Sequence, residues 1–276
     1  MWPFDRSNRD DVLRVCRGGV EHWTRTSAGL TLHRRETFER PMDVVALEDA
    51  IVRLFSGNNA PPVRPQSVHI VIESPWLPIM LLAPSAELGN VGAIERRLRE
   101  CLAELYDAAD DPVARWLLQV DGLPGDRHVC GYGLPTRVRE CIPRALSATH
   151  VHAASLQPAW AWARTQHSQR ATRRHTGWWL WQESDRTLVA GMTDGRVTSL
   201  HPGLPTMDKH FDAPAVVAVE AARIGSSTLE PIIAGGWHAP PTLAKRVRWL
   251  GVDTPLLPQS PQASAIQESL VNPASR

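Results

Sequence analysis

Short apolar runs separated by glycine-bearing turns fill the first forty positions of the chain. The first turn is Gly18-Gly19, and the second is Ser27-Ala28-Gly29. Brief apolar and β-branched runs between such turns are typical of antiparallel strands, so the pattern predicts a three-stranded meander. The runs comprise Val12, Leu13 and Val15, then positions 20–25, then positions 30–38.

Apolar spacings of three and four mark the helices of the first half. Asp43 can cap the first, which should end at Gly57. Glu95 and Arg99 lie one turn apart on the polar face of the second. Thr136 can cap a third, which Pro143 should kink or shorten. The apolar faces are Val44, Leu47, Ile51 and Leu54; Val91, Ile94, Leu98, Cys101, Leu102 and Leu105; Val138, Cys141, Ile142 and Leu146.

Apolar runs between these helices predict further strands, and a helix should begin at Pro158. The strands are expected at 68–72, 76–83, 116–120, 128–132 and 150–154.

The meander pattern returns in the second half of the chain. Asp194-Gly195 is a strong hairpin signal between two of three short strands. A helix is predicted from Ala213 to Ile224, and a second one capped by Thr242 and closed by Gly251, with Leu243, Val247 and Leu250 on one face. The strands are expected at 178–182, 188–192, 197–200 and 231–234, and positions 258–276 are expected to form a flexible tail.

Composition narrows the class of protein. The chain has 276 residues, 43% of them hydrophobic, and a formal net charge of +1, which gives no basic field for nucleic acid. The four cysteines form no CxxC pair, as expected for free thiols in a reducing compartment. The longest apolar run, 76–84, is too short to span a bilayer. The sequence therefore predicts a cytoplasmic protein without a signal peptide or membrane span.

One segment near the end carries a family resemblance. Positions 231–237 read as an apolar strand that ends in Gly235-Gly236, and Leu250-Gly251-Val252 follows after a predicted helix. This arrangement resembles the adenosine side of actin-like ATPases, where two glycines let the backbone approach a flat base. The order of elements over positions 10–257 resembles PilM of type IV pilus systems and the cytoplasmic part of GspL from type II secretion.

The resemblance implies an α/β, actin-like (RNase H-like) duplicated fold with mixed sheets flanked by helices. Each lobe should start with a three-stranded meander. The first lobe is expected over 1–150, with an inserted strand–helix–strand–strand unit at about 76–132, and the second over 151–257.

The phosphate loops depart from the family pattern. Active members carry an Asp-x-Gly loop at each hairpin, where the acid positions metal and water. Here the first hairpin reads Val15-Cys16-Arg17-Gly18-Gly19, and the second, at 178–184, has no such loop. Nucleotide hydrolysis is therefore not expected, and neither a catalytic residue, a metal nor a cofactor is assigned. Gly18, Gly19, Gly235 and Gly236 remain as degenerate equivalents of the nucleotide cleft.

The resemblance also implies partners. A scaffold of this kind would bind a segment of a membrane protein that belongs to a pilus or secretion platform. It would also bind a secretion ATPase. It would lie at the inner membrane only through those partners. The groove would involve Trp76, Leu77, Ile79 and Leu81.

Other functions remain open at this stage. The runner-up is a working ATPase or kinase on the same fold, which would bind ATP and Mg²⁺. A hydrolase built on Asp121, His128 and Cys130 is a weaker alternative, as is a metal site at His150 and His152.

The basic run 164–174 predicts a solvated loop. Core packing is expected for most of a tryptophan group, with a partner groove as the alternative: Trp160, Trp162, Trp178, Trp179 and Trp181.

Overall fold

The structure is a computed structural model that describes residues 11–26, 29–56, 67–105, 116–121, 128–167, 175–205, 212–227, 229–238, 244 and 247–251. The expected tail at 258–276 lies outside these residues, as does most of the basic run. Within the described ranges, the helices are α1 (Val44–Phe55), α2 (Val91–Leu105), α3 (Thr136–Ala148), α4 (Ala159–His167) and α5 (Ala213–Arg223). The strands are β1 (Asp11–Cys16), β2 (Gly19–Thr26), β3 (Gly29–Thr37), β4 (Ser67–Ile72), β5 (Ile79–Leu82), β6 (Trp116–Asp121), β7 (Val129–Pro135), β8 (His152–Pro158), β9 (Gly177–Gln182), β10 (Arg186–Thr193), β11 (Arg196–Pro205), β12 (Ile232–Gly236) and β13 (Val247–Gly251).

The first sheet has the strand order β3-β2-β1-β4-β8. The predicted meander forms its antiparallel part, and β4 and β8 extend it in parallel. Asp43 caps α1 as predicted, because its carboxylate accepts hydrogen bonds from the amides of Val45 and Ala46. Since β8 pairs with β4, the lobe boundary predicted at residue 150 falls before the last strand of this sheet.

The second sheet repeats this order as β11-β10-β9-β12-β13. The second meander is therefore confirmed, and β12 and β13 add in parallel just as β4 and β8 do. Asp194 and Gly195 have φ values of 50° and 74°, the left-handed backbone that the predicted hairpin turn requires.

The helix predicted from Thr242 to Leu250 is wrong over the part that the structure describes. Residues 247–251 form β13, in parallel register with β12. Val247 and Trp249 pack against the core beneath α5, whereas Leu250 packs against the opposite core. This alternation is the period of a strand, and pairing with the buried β12 outweighs the helical spacing of the apolar positions.

Two predicted boundaries shift because turns intervene. The strand predicted at 76–83 begins only at Ile79, since the amides of Trp76 and Leu77 curl back onto the carbonyl of Glu73 at 3.0 and 3.1 Å. The strand predicted at 150–154 begins at His152, because His150 lies in a turn with φ of 59°. Thr136 is the first residue of α3 rather than its cap, and Pro143 lies exposed within that helix without ending it.

A separate three-stranded sheet, in the order β5-β7-β6, forms with α2 packed on it. Its packing is tight at Gly131, where an added Cβ would lie 2.1 Å from Leu98 Cδ2. These elements are the strand–helix–strand–strand unit expected from the sequence. In the part of the chain that is described, no helix has both the length and the apolar character needed to cross a membrane.

One hydrophobic core runs across both five-stranded sheets. It joins Leu13 and Ile70 of the first sheet to Trp179, Trp181 and Ile233 of the second. A second cluster lies between α5 and the other face of the second sheet. The two sheets therefore share buried apolar area rather than each enclosing a separate core.

Candidate functional site at the junction of the two sheets

Two Glu-Ser segments meet where the sheets converge. Glu73-Ser74 follows β4 in the first sheet, and Glu183-Ser184 follows β9 in the second. The Ser74 amide donates to Glu183 Oε1 and Oε2 at 3.0 and 3.1 Å, and the Ser184 amide donates to Glu73 Oε1 and Oε2 at 3.1 and 3.2 Å. Each serine hydroxyl also donates to the same carboxylate as its amide. We call these two segments the paired corners.

Both carboxylates of the paired corners are buried. Glu73 is 0% exposed and Glu183 is 4% exposed. Burial, together with the neighbouring Glu73 carboxylate, raises the pKa of Glu183 to about 8, although the hydrogen bonds from Ser74 and the charge of Arg186 oppose this rise. The raised pKa reflects the cost of holding a second negative charge beside the Glu73 carboxylate in a buried site.

Arg14 supplies the positive charge of the junction. Its guanidinium donates to Glu21 Oε2 at 2.7 Å and to Glu73 Oε1 at 2.9 Å, and it is only 3% exposed. The Trp23 indole N–H donates to Glu21 Oε2 at 3.0 Å. Burial favours the neutral form of Glu21, but the charge of Arg14 and the hydrogen bonds from Arg14 and Trp23 together outweigh burial and lower the pKa of Glu21. Arg14 thus binds two buried carboxylates, one of which belongs to a corner.

A second, exposed contact joins the turn between β1 and β2 to the turn between β9 and β10. Arg17, in the turn between β1 and β2, donates to Asp185 Oδ2 at 2.9 Å. Asp185 follows Ser184 directly, so this ion pair bridges the two hairpins outside the paired corners. The Arg17 side chain is 48% exposed, and solvent will weaken the pair accordingly.

Aromatic rings fill the space beside Arg14. Trp237, which follows β12, stacks on Trp162 of α4 with centroids 4.9 Å apart and an interplanar angle of 7°. Its ring also lies 5.3 Å from that of Trp23 and 6.5 Å from that of Trp181. The Arg14 guanidinium carbon lies 4.8 Å from the Trp237 ring centroid, a cation–π distance. These four tryptophans, the aromatic stack, connect both sheets and α4.

The glycines expected to mark a nucleotide cleft pack against the chain itself. An added Cβ would lie 2.6 Å from the Leu250 carbonyl oxygen at Gly235, 3.0 Å from Gln182 Cβ at Gly236 and 2.6 Å from the Glu36 carbonyl oxygen at Gly19. At Gly18 nothing lies within 4 Å. Strand packing alone therefore accounts for three of the four glycines, and their assignment to a nucleotide cleft stays a prediction.

The residues predicted to bind a partner lie at different depths. Trp76 is 1% exposed and its indole N–H donates to the Cys16 carbonyl at 2.6 Å, while Leu77 is 3% exposed. Ile79 and Leu81 are partly buried against the shared core. Trp76 and Leu77 are thus core residues beneath the first hairpin, because a turn rather than a strand carries them, and their side chains are inaccessible to a partner. Ile79 and Leu81 stay the predicted contacts.

The other constellations gain no support from the described residues. No group of three His, Cys, Asp or Glu residues there is arranged to hold a metal ion. Cys130 is buried, and the side chain of Asp121 lies outside the described part. The tryptophan group is buried, as the prediction of core packing requires. Its members are Trp160, Trp162, Trp178, Trp179 and Trp181.

Sequence reasoning missed the paired corners and Arg14. The repeated Glu-Ser dipeptide directly after two buried strands was the available signal, but nothing local indicated that the two copies would meet.

Two five-stranded sheets of identical strand order, each opened by a meander, form an actin-like fold, and the predicted fold is confirmed. A chain of the PilM–PilN type IV pilus biogenesis complex matches with a TM-score of 0.57 at 10% sequence identity, over 94% of each chain. At this identity the match shows the fold alone.

Two further solved structures match with TM-scores below 0.5, and nothing about the fold or function of this chain is inferred from them. The cytoplasmic domain of EpsL, an inner-membrane component of the type II secretion system of Vibrio cholerae, gives 0.47 at 14% identity over 96% of each chain. A Bacteroides thetaiotaomicron protein with an actin-like ATPase fold and unknown function gives 0.49 at 9% identity, over 88% of this chain and 90% of that one. No protein-family model and no curated protein matches the sequence.

Proposed function

We propose that this chain is a non-hydrolysing, actin-like scaffold on the cytoplasmic side of a pilus or type II secretion platform. In this role it binds a segment of an inner-membrane protein and, through that platform, a secretion ATPase. The fold shared with a chain of the PilM–PilN complex supports the setting. The single observation that supports a scaffold over an enzyme is the junction. There the backbone amides of Ser74 and Ser184 donate to carboxylates of the chain itself.

The chemistry of the junction disfavours a nucleotide. Phosphate binding in actin-like ATPases needs free backbone amides at the hairpins, whereas the Ser184 amide in the β9–β10 turn already donates to the buried Glu73 carboxylate. A triphosphate brought there would face the buried Glu73 carboxylate, and like charges at short range in a buried site repel strongly.

Nucleotide binding provides the first test. We expect ATP with Mg²⁺ to leave the melting temperature unchanged up to millimolar concentrations, measured by differential scanning fluorimetry with MgCl₂ alone as the control. A ligand at 100 times its Kd would stabilise the fold by about 2.7 kcal/mol, an easily detected amount. A saturable rise would instead support the runner-up, an ATPase or kinase, and phosphate release would then be measured.

Co-purification tests the scaffold itself. We expect one inner-membrane protein of a pilus or secretion platform, co-expressed with the tagged chain, to be retained on the affinity resin. Leu81→Glu should lower the retained amount at least tenfold, because a charge at the predicted groove must be desolvated on binding. Val45→Glu, at a side chain that is 69% exposed on α1, serves as the matched control. Failure of every platform protein to co-purify with folded chain would refute the proposal.

A further inference from the structure

The paired corners are reciprocal. The carboxylate of each corner accepts both the amide and the hydroxyl proton of the other corner's serine. Separating Ser74 from Glu183 therefore moves Glu73 away from Ser184 as well, because residues 73 and 74, and 183 and 184, are adjacent in the chain. The two halves of the contact cannot open independently.

The corners are also anchored on both sides. The Glu73 amide donates to the Val15 carbonyl at 3.0 Å, and the Glu73 carboxylate accepts from Arg14 of β1. On the other side, the Glu183 amide donates to the Arg186 carbonyl at 2.8 Å, which closes the turn between β9 and β10. A displacement at the junction is thereby transmitted to a central strand of each sheet.

We propose that the paired corners form a latch that holds the two sheets together beside the aromatic stack. In this device, acids and serines of the chain itself bridge the turn after β4 and the turn between β9 and β10, and this bridge opens only when all the serine hydrogen bonds break together. The latch fixes the angle between the sheets. It operates whether or not the chain binds a membrane protein, so its test is independent of the proposed function.

Ser74→Ala tests the reciprocity directly. The change removes one hydroxyl and retains both amide donors, so the fold should persist. We expect hydrogen exchange, followed by mass spectrometry, to accelerate at least tenfold at the turn 182–186 although that turn is unaltered, and in the segment 73–77. Exchange in α1 should stay at the wild-type rate. Acceleration confined to 73–77 would overturn the latch, because it would show a local hydrogen bond only.

The double variant and a surface variant complete the experiment. Ser74→Ala combined with Ser184→Ala should open the junction further, so that acrylamide quenches tryptophan fluorescence more strongly than in wild type. Asp185→Asn removes the exposed ion pair between the β1–β2 turn and the β9–β10 turn and should change exchange less than twofold. Equal acceleration in Asp185→Asn and in Ser74→Ala, or wild-type quenching in the double variant, would refute the latch. Should the double variant fail to fold, the single variant decides the question.

Discussion

Replacement of Arg14 with methionine is expected to lower the free energy of unfolding by about 3–5 kcal/mol. Arg14 is buried and binds the carboxylates of Glu21 and Glu73, so its removal takes the buried cation from both acids and leaves Glu21 with the exposed Arg35 at 3.5 Å. Methionine fills much of the volume of the arginine stem, which keeps loss of packing small. Urea denaturation at pH 7, followed by circular dichroism, measures the loss.

The exposed Arg144, which pairs with Glu48 between α3 and α1, is the matched control for this substitution. Arg144→Met should leave the urea midpoint close to that of wild type, because solvent screens an exposed pair. Adding Glu21→Gln to Arg14→Met should restore part of the lost stability, since one uncompensated charge is then absent. Equal losses in the two methionine variants would show that burial of the charges is not what makes Arg14 important.

Truncation of the central tryptophan of the aromatic stack has the second large expected effect. Trp237→Ala should cost about 3–5 kcal/mol, because the side chain is large, buried and in contact with rings from both sheets and α4. Trp237→Phe should cost less, as it keeps part of the stacking. The same urea experiment measures both values.

Trp249 provides the comparison for this truncation, since it is only partly buried and packs against the separate cluster beneath α5. Trp249→Ala should cost clearly less than Trp237→Ala. Similar losses at the two positions would contradict the central role given to the aromatic stack.

Local signals in the sequence predicted most of the fold. Glycine-bearing turns located both meanders, and Asp194-Gly195 placed one hairpin turn correctly. The spacing of Leu243, Val247 and Leu250 misled because it fits a helix, while Trp249 belongs to the alternating pattern of a strand. Pairing with β12 selects the strand over the helix. A short stretch of sequence does not show which other strand it will pair with.

The site was less predictable than the fold. The absence of Asp-x-Gly loops drew attention to the two hairpins and not to the turn after β4. Ser74 and Glu183 are 109 positions apart, and only the folded chain brings them together. Trp76 was expected in a groove because apolar neighbours made its segment look like a strand. Instead, the turn after Glu73 places it in the core, where its indole N–H binds the first hairpin.

The raised pKa of Glu183 makes the stability of the fold depend on pH. In the unfolded chain a glutamate keeps its ordinary pKa of 4.5, whereas burial beside Glu73 raises that of folded Glu183 to about 8. Between these values the folded state binds more protons than the unfolded state, so folding takes up a proton from the solvent. The contribution of Glu183 to the free energy of unfolding is therefore complete below pH 4.5 and is lost as the pH rises towards 8. Through Glu183, the contact between the two sheets therefore couples folding to uptake of a proton, and it is more stable in mildly acidic than in alkaline solution.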